Sequence, residues 1–359
     1  MQHPPQPDTP PGIARRMLLL AGLACAGPAS ALPPAALSFP RDHGSHPDFR
    51  TEWWYITGHA SSGTREFGFQ VTFFRSRVDA TQQMKSGFAA KQLLFAHAAV
   101  TDVQGKKLWH DQRIARDGFD VASADLKDTA IRLRDWSLVR KGDAYTATLP
   151  AGDFNIALQF TPTQAVLLQG DKGLSRKGPD AAQASYYYSQ PQLAARGSLT
   201  VKGESFDVTG KAWLDHEWSR ELMHPQAVGW DWIGMNLDDG SALTAFRLRD
   251  RAGATLWDGG SYRHPKASTY VFSRGEVIFQ PVRSWKSPLS NASYPVEWGV
   301  RTPADIYTVK ALIDNQELDS RGSTGAIYWE GLSDLIDSNG KRVGRGYLEM
   351  TGYARPLRL

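Results

Sequence analysis

Apolar residues alternate with other residues along many short stretches of the chain, and this pattern constrains the fold more than any other feature. Every second residue is apolar over residues 67–73, 154–160 and 307–313. A period of two over seven residues is typical of a half-buried β-strand. Glycine-containing turn sequences separate such stretches at residues 61–63, 141–143, 238–240 and 338–340. The sequence therefore predicts an all-β fold with few short helices, the best helical candidate being residues 82–92.

The same order of sequence features occurs twice along the chain. The corresponding segments are EWWYI at 52–56 and WDWI at 230–233, RDWS at 134–137 and RSWK at 283–286, and FDVTG at 206–210 and LEMTG at 348–352. Chance similarity between alternating strands is the alternative explanation. We interpret the common order as a duplication. It predicts an N-terminal β-domain over residues 32–222 and a C-terminal β-domain over residues 223–359.

Residues 1–31 have the features of a secretory signal peptide. Arg15 and Arg16 precede an apolar run over residues 17–28, and small residues at 29–31 offer a cleavage site. A buried helix is the alternative, but glycines and a proline interrupt the run. We expect an exported protein, periplasmic or secreted, and the paired arginines leave the twin-arginine route open.

Composition narrows the function classes. The 359 residues carry a net charge of only +4, and no run of Lys or Arg exceeds two residues, so nucleic acid is not expected as a partner. Only the N-terminal run approaches membrane length, so no integral span is expected after its removal. The single cysteine, Cys25, belongs to the predicted signal peptide, which excludes thiol chemistry from the mature chain. Gly22, three positions earlier, makes Cys25 a weak lipoprotein signal.

Several motifs are shared with a known family. They are FPRDHG at 39–44, HPDFRTEWWY at 46–55, AHA at 96–98, WLDHEW at 213–218 and GWDW at 229–232. On these motifs the chain resembles the AttH / carotenoid 1,2-hydratase family from about residue 39 to the C-terminus. The resemblance implies two tandem lipocalin-like (calycin) antiparallel β-barrels, which agrees with the repeat. Family members include hydratases, cyclisation catalysts and secreted proteins of unassigned activity, so the resemblance implies the fold more securely than the reaction.

The densest group of chemically versatile side chains lies between residues 213 and 232. The predicted catalytic residues are Asp215, His216 and Glu217, and predicted ligand-binding residues in this group are Trp218, Trp230 and Trp232. On a strand, Asp215 and Glu217 point to one face and the residues that alternate with them to the other. A carboxyl group buried among indoles would have a raised pKa and could protonate a double bond, while aromatic faces stabilise the resulting cation. The alternative is that the tryptophans form core and the polar run satisfies backbone donors.

The family resemblance adds roles for part of this group. It implies that the hydratases of the family use a histidine and a tryptophan in this segment, together with a polar aromatic residue and an acid on the next strand. The histidine and tryptophan correspond to His216 and Trp218. The next strand, residues 244–248, has no tyrosine or carboxylate. This departure from the family pattern puts hydratase chemistry in question for this member.

A second group adds Glu52, Trp54 and His97 as predicted ligand-binding residues. In one interpretation Glu52 and His97 face the cup of the first barrel. In the other, the adjacent tryptophans close the base of the barrel and Glu52 pairs with an arginine such as Arg75.

Two functions from different classes remain. Phosphate-binding loops, dinucleotide fingerprints and closely spaced histidine ligands are absent from the sequence, so we predict neither cofactor nor metal. The first function is a secreted enzyme that hydrates a C=C bond of a lipophilic, isoprenoid-like or polyketide-like molecule by acid catalysis. The second is a non-catalytic periplasmic carrier of a hydrophobic ligand. They differ in whether an acid lies within hydrogen-bond reach of the ligand.

Overall fold

Strands account for most of the structure, a computed structural model that describes residues 31–34, 36–221 and 223–357. The predicted signal peptide lies outside these residues except for Ala31, and it stays a prediction. Helix in the described part of the chain is confined to two 3-10 helices, Arg41–His43 and Asp79–Thr81. No helix there is long and apolar enough to cross a bilayer. The prediction of an all-β fold with few short helices is confirmed.

The predicted helix over residues 82–92 is wrong. A 3-10 helix ends at Thr81, turns and irregular chain follow, and the next strand begins at Gln92. The Gln82 side-chain amide donates to the backbone carbonyls of Val78 and Lys91, at 2.9 and 2.8 Å. These side-chain bonds connect the two ends of the segment, which folds as a compact loop.

The first half of the molecule is a 13-stranded antiparallel sheet. Its strands are β1 (Thr51–Ser62), β2 (Arg65–Arg77), β3 (Gln92–Asp102), β4 (Lys107–Arg116), β5 (Ala122–Ala124), β6 (Ala130–Leu133), β7 (Trp136–Lys141), β8 (Ala144–Pro150), β9 (Phe154–Thr161), β10 (Leu167–Leu168), β11 (Leu174–Arg176), β12 (Ala184–Val201) and β13 (Glu204–Glu221). The order is β4-β3-β2-β1-β13-β12-β9-β8-β7-β6-β5, with β10 and β11 on β12. Contacts of β3 and β4 with β6 bring the two ends together, so this half is barrel-like.

The second half is a 10-stranded antiparallel sheet. Its strands are β14 (Gly229–Leu237), β15 (Ala242–Arg249), β16 (Thr255–Arg263), β17 (Tyr270–Val271), β18 (Ile278–Lys286), β19 (Ser293–Arg301), β20 (Ile306–Ala311), β21 (Glu317–Ser320), β22 (Ala326–Ile336) and β23 (Arg342–Met350). The order is β17-β16-β15-β14-β23-β22-β20-β19-β18, with β21 on β22. Tyr294, Trp298 and Trp329 fill its interior.

The two sheets have the same strand order over nine positions, and the first sheet continues beyond them into β6 and β5. In each, a central pair, β1–β13 or β14–β23, joins three successive strands on one side to a series of hairpin strands on the other. The three repeated sequence segments fall on corresponding strands of the two sheets, β1 and β14, β7 and β18, and β13 and β23. The tandem arrangement of two lipocalin-like barrels therefore agrees with the sequence repeat.

The central pairs of the two sheets pack against each other. A third apolar cluster, separate from the two barrel interiors, lies at this contact and includes Tyr55, Trp213, Trp232, Phe246 and Tyr347. Each of β1 and β13 thus has one face toward the interior of the first half and the other toward the second half. Alternate residues of one strand therefore lie in two different environments.

Candidate functional site

Strand β13 carries the predicted catalytic residues on both of its faces. Asp215 and Glu217 point toward the second half. Asp215 pairs in register with Tyr55 of β1, so Tyr55 has the same orientation. His216 and Trp218 point into the first half, where they pack on Trp54 and other core residues. The predicted alternation along this strand is confirmed, and it separates His216 from the two carboxylates that flank it in the sequence.

The inner face holds a hydrogen-bond network centred on Glu52, which is buried. Its carboxylate accepts bonds from Arg75 Nε at 2.7 Å, His46 Nδ1 at 2.7 Å, His216 Nε2 at 3.0 Å and Ser45 Oγ at 2.9 Å. Burial alone would raise the pKa of Glu52, but the bonds from His216 and His46 hold that pKa well below its usual range. The alternative prediction that Glu52 pairs with Arg75 is confirmed.

Ring stacking fixes the histidines of this network. The His46 ring lies parallel to the indole of Trp218 with centroids 3.8 Å apart, and the His216 ring stacks on Trp54 at 4.6 Å. Burial lowers the pKa of His216 to about 4, although the bond to Glu52 opposes this shift, so the imidazole is neutral at neutral pH. Trp54 and Trp218 therefore hold the two histidine rings in place by stacking on them inside the first barrel.

The network contains side chains of the types that bind metal ions, two histidines and a carboxylate, but its arrangement does not suit a cation. Ligand atoms of His46, Glu52 and His216 lie within 4.8 Å of one another, the described residues having no other such group. The Arg75 guanidinium already occupies one carboxylate oxygen and would repel a metal ion. Both histidines direct a nitrogen at the other oxygen. The three side chains form a closed hydrogen-bond network.

A cavity of about 690 Å³ lies between the two halves. Its apolar walls include Trp53, Tyr55, Trp230, Trp232, Phe246 and Leu248. The volume is within the range of small-molecule sites in proteins, and such sites combine apolar walls with a few polar groups. Of the predicted ligand-binding residues, Trp230, Trp232, His97 and Glu52 line this cavity, although the Glu52 carboxylate is hydrogen-bonded to His216 on the inner side. The side chains of Trp54 and Trp218 lie inside the first barrel.

His97 and Glu52 do not share a face. The register of β1, β2 and β3 places Glu52 beside Arg75 and Arg75 beside Leu94, so residues of the Leu94 phase on β3 point inward. His97 has the opposite phase and reaches the second half, where it is hydrogen-bonded to Tyr328 Oη at 2.8 Å and Ser323 Oγ at 2.9 Å. The expectation that both side chains face the cup of the first barrel is therefore wrong.

The wall from the first half presents two carboxylates to the cavity. Asp215 accepts hydrogen bonds from Tyr187 Oη at 2.7 Å, Ser189 Oγ at 2.5 Å and Trp213 Nε1 at 2.7 Å. Burial raises its pKa to about 7 even though these donors oppose the shift. Glu217 is paired with Lys177 Nζ at 3.0 Å. Asp215 can therefore exist in either protonation state near neutral pH.

The facing wall presents two more carboxyl groups, which the sequence reasoning missed. Glu330 of β22 and Glu349 of β23 are direct cross-strand partners. Burial raises the pKa of Glu330 well above its usual range, and the charge of Glu349 adds to the effect. Burial likewise raises the pKa of Glu349 to about 7, although a bond from Trp230 opposes it. A signal was present in the sequence: each glutamate lies two residues after a tyrosine, Tyr328 or Tyr347, and therefore points to the same face of its strand as that tyrosine.

Known proteins share both the sequence pattern and the fold of this chain. A family model described as AttH-like matches residues 30–353. A candidate AttH from Nitrosomonas europaea is 46% identical with a TM-score of 0.84, and the match covers 90% of this chain and 99% of that chain. Kievitone hydratase from Nectria haematococca shares the fold at 12% identity and a TM-score of 0.70, covering 89% and 94% of the two chains.

CghA shares the fold at 13% identity and a TM-score of 0.53, covering 90% of this chain and 94% of its own. No curated protein matches the sequence. The family-model match spans most of the chain, and the similarity to the Nitrosomonas protein extends over nearly the whole of both molecules. The chain therefore belongs to the AttH-like family.

Proposed function

We propose that the protein binds a lipophilic small molecule in the cavity between its halves and adds water to a C=C bond of that molecule by acid catalysis. The observation that carries the proposal is an apolar cavity of about 690 Å³ lined by carboxyl groups whose pKa values are raised. A carboxylic acid that stays protonated near neutral pH can act as a general acid without cofactor or metal. Hydration is also the reaction named for one neighbour of the same fold, kievitone hydratase.

The two walls of the cavity suit two parts of the reaction. Proton addition to a C=C bond leaves a carbocation, which the faces of Trp230 and Trp232 would stabilise. Water then adds to the cation and must lose a proton. Asp215 has three donors on its oxygens and, because a carboxylate offers about four acceptor sites, one acceptor site left for that water. We assign Asp215 the role of accepting this proton.

The other two predicted catalytic residues have different positions. Glu217 is ion-paired with Lys177 at the same wall and supports the charge balance there. His216 faces away from the cavity, so we assign it a positioning role through the Glu52 network. The proposal includes export, which depends on the predicted signal peptide.

A second function uses the same cavity without chemistry. Its apolar aromatic walls alone would hold a hydrophobic ligand, as expected for a carrier. The experiment that separates the two functions is mass spectrometry of ligand co-purified with the exported protein, before and after incubation in water enriched in heavy oxygen. The variants are Asp215→Asn and, as a matched control, Asp143→Asn, whose side chain is 89% exposed.

Heavy oxygen should enter the ligand with the parent protein and with Asp143→Asn, and not with Asp215→Asn. A ligand that stays unmodified in the parent protein would favour carriage. Absence of any co-purified or added lipophilic ligand from the cavity would contradict both functions.

A further inference from the structure

Two carboxyl groups of the second half face the cavity side by side. Glu330 and Glu349 stand directly opposite each other on the antiparallel strands β22 and β23. Directly opposed residues point to the same face, with Cβ atoms about 4.5–5.5 Å apart. Both line the cavity between the halves.

We propose that Glu330 and Glu349 hold one proton between them and that Oε1 of Glu330 is the atom that gives this proton to the ligand. This assignment rests on the proposed function, which it extends by naming the proton donor. It differs from the sequence-based prediction, which placed all of the catalytic residues on β13.

Electrostatics requires a proton on this pair. Glu330 is 2% exposed, and two carboxylates at this separation in a buried site cannot both be ionised without a large cost. Lys177, the cation nearest to the carboxylates of the first wall, is already paired with Glu217. The described groups that face the pair from the surrounding strands are Tyr55, Gln70, Asp215, Glu217, Trp230, Tyr328 and Tyr347. Each of these groups is neutral or negative. The cationic side chains of Lys177 and Arg355 also line the cavity, but Lys177 is paired with Glu217, and among the described residues no ion pair joins Arg355 to either glutamate.

Hydrogen bonding makes the two partners unequal. Trp230 Nε1 donates to Oε2 of Glu349 at 3.0 Å, and a donor of this kind favours the charged form of Glu349. Gln70 Nε2, from the first half, donates to Oε2 of Glu330 at 2.7 Å. Oε1 of Glu330 has no hydrogen-bond partner among the residues that the structure describes. The shared proton is therefore best placed on Oε1 of Glu330.

The unsatisfied oxygen points to a ligand. More than nine in ten buried polar groups in proteins have a partner, so an exception calls for an explanation. The Tyr55 hydroxyl also makes no well-formed hydrogen bond in the described part of the chain; it lines the same cavity and lies close enough to Glu330 to lower the pKa of that carboxyl group. A bound molecule in the cavity would meet an acid at Glu330 and a hydroxyl at Tyr55.

The proposed step is balanced without any further reactant. The π electrons of the ligand C=C bond take the proton from Oε1 of Glu330, which leaves a carbocation on the ligand and a second negative charge on the carboxyl pair. Water adds its oxygen to the cation, and the excess proton passes to Asp215. Exchange with solvent returns that proton to the pair, so the net change is the addition of one water molecule.

Proton delivery can be measured with acridine, a flat aromatic base whose absorption differs between its neutral and protonated forms. The dye is added at a pH well above its own pKa to the parent protein, Glu330→Gln, Glu349→Gln and the exposed control Glu204→Gln. We expect bound acridinium with the parent and the control, and neutral bound acridine with Glu330→Gln. Bound acridinium undiminished in Glu330→Gln would overturn the assignment. Failure of the dye to bind the parent protein would instead contradict the proposed ligand cavity.

Infrared difference spectroscopy tests the sharing of the proton without any ligand. The carbonyl stretch of protonated carboxyl groups should lose one component in Glu330→Gln. Because Glu349→Gln removes the neighbouring negative charge, the pH midpoint of the Glu330 component should fall by about one unit or more in that variant. An unchanged midpoint in Glu349→Gln would overturn the shared proton even if Glu330→Gln fails to fold.

Discussion

Replacement of Glu52 by glutamine tests whether the inner network of the first barrel is structural. Glutamine keeps the size of the side chain but removes its charge and places an amide group among donors. Arg75, 2% exposed, then loses its carboxylate partner at 2.7 Å, and His216 loses its acceptor at 3.0 Å. We expect the Glu52→Gln variant to fold with reduced stability.

The magnitude follows from what remains around Arg75. Removing one partner of a buried ion pair costs about 3–5 kcal/mol, because the other charge is left buried. The guanidinium keeps bonds to the carbonyls of His46 and Phe49 and to Gln92 Oε1, at 2.8, 2.9 and 2.8 Å. These contacts place the expected loss in the free energy of unfolding at the lower end, about 3 kcal/mol. The double replacement with Arg75→Met should cost less than the sum of the two single replacements.

Urea unfolding followed by tryptophan fluorescence and by circular dichroism measures this loss. With a slope near 3 kcal/mol per M, the midpoint should fall by about 1 M. The control is Asp153→Asn, which breaks the exposed pair with Lys202 and should cost under about 1 kcal/mol. A loss below about 1 kcal/mol for Glu52→Gln would refute the reasoning. Acridine affinity of the folded fraction should be unchanged, since the Glu52 carboxylate faces the barrel interior; a large loss would assign Glu52 a ligand contact.

Three further predictions concern the cavity and the contact between the halves. Because the Glu349 pKa is raised to about 7, its stabilising contribution is complete below pH 4.5 and is lost as the pH rises through 7. The free energy of unfolding of Glu349→Gln, measured in urea and compared with that of the parent, should therefore rise by about 2 kcal/mol between pH 4.5 and about pH 8, a figure already reduced for partial exposure of the side chain. A difference between the two proteins that does not change with pH would contradict this. Trp230→Phe removes a donor to Glu349 at 3.0 Å, so infrared titration should show the Glu349 pKa rising above about 7. In Gly68→Ala the new Cβ would lie 2.6 Å from Tyr347 Oη, and this clash should lower the stability measured by thermal unfolding by about 1–3 kcal/mol. The control is Gly87→Ala, whose new Cβ has no described atom within 4 Å and which should change stability by less than about 0.5 kcal/mol.

Local periodicity was sufficient to predict the strands and the phase of their side chains. The opposite orientations of Asp215 and His216 follow from the period of two, whatever surrounds the strand. The repeated order of motifs was sufficient to predict the tandem architecture, because two sheets with corresponding strands carry their matching motifs in the same order along the chain. The helix predicted over residues 82–92 failed because side-chain bonds from Gln82 to backbone carbonyls are not a periodic feature.

The composition of the cavity could not be predicted from local pattern. Periodicity shows which residues share a face, but not which body of the protein covers that face. Glu330 and Glu349 become neighbours only through the pairing of β22 with β23, and both oppose Asp215 only because the second half packs on the outer faces of β1 and β13. The position of His97 on the outer face likewise follows only from the register of β1, β2 and β3, which the sequence does not show.

The two faces of β1 and β13 connect the inner network to the cavity. Trp54 pairs in register with His216 on the inner face, and the next pair along, Tyr55 with Asp215, is on the outer face. The stacked and hydrogen-bonded inner residues hold the backbone of these strands, and that backbone sets where Tyr55 and Asp215 project. A site functions well when its reacting groups stand on rigid elements supported from behind. In the proposed reaction His216 would therefore act without touching the ligand, and its replacement should move Asp215 while leaving the apolar walls of the cavity in place.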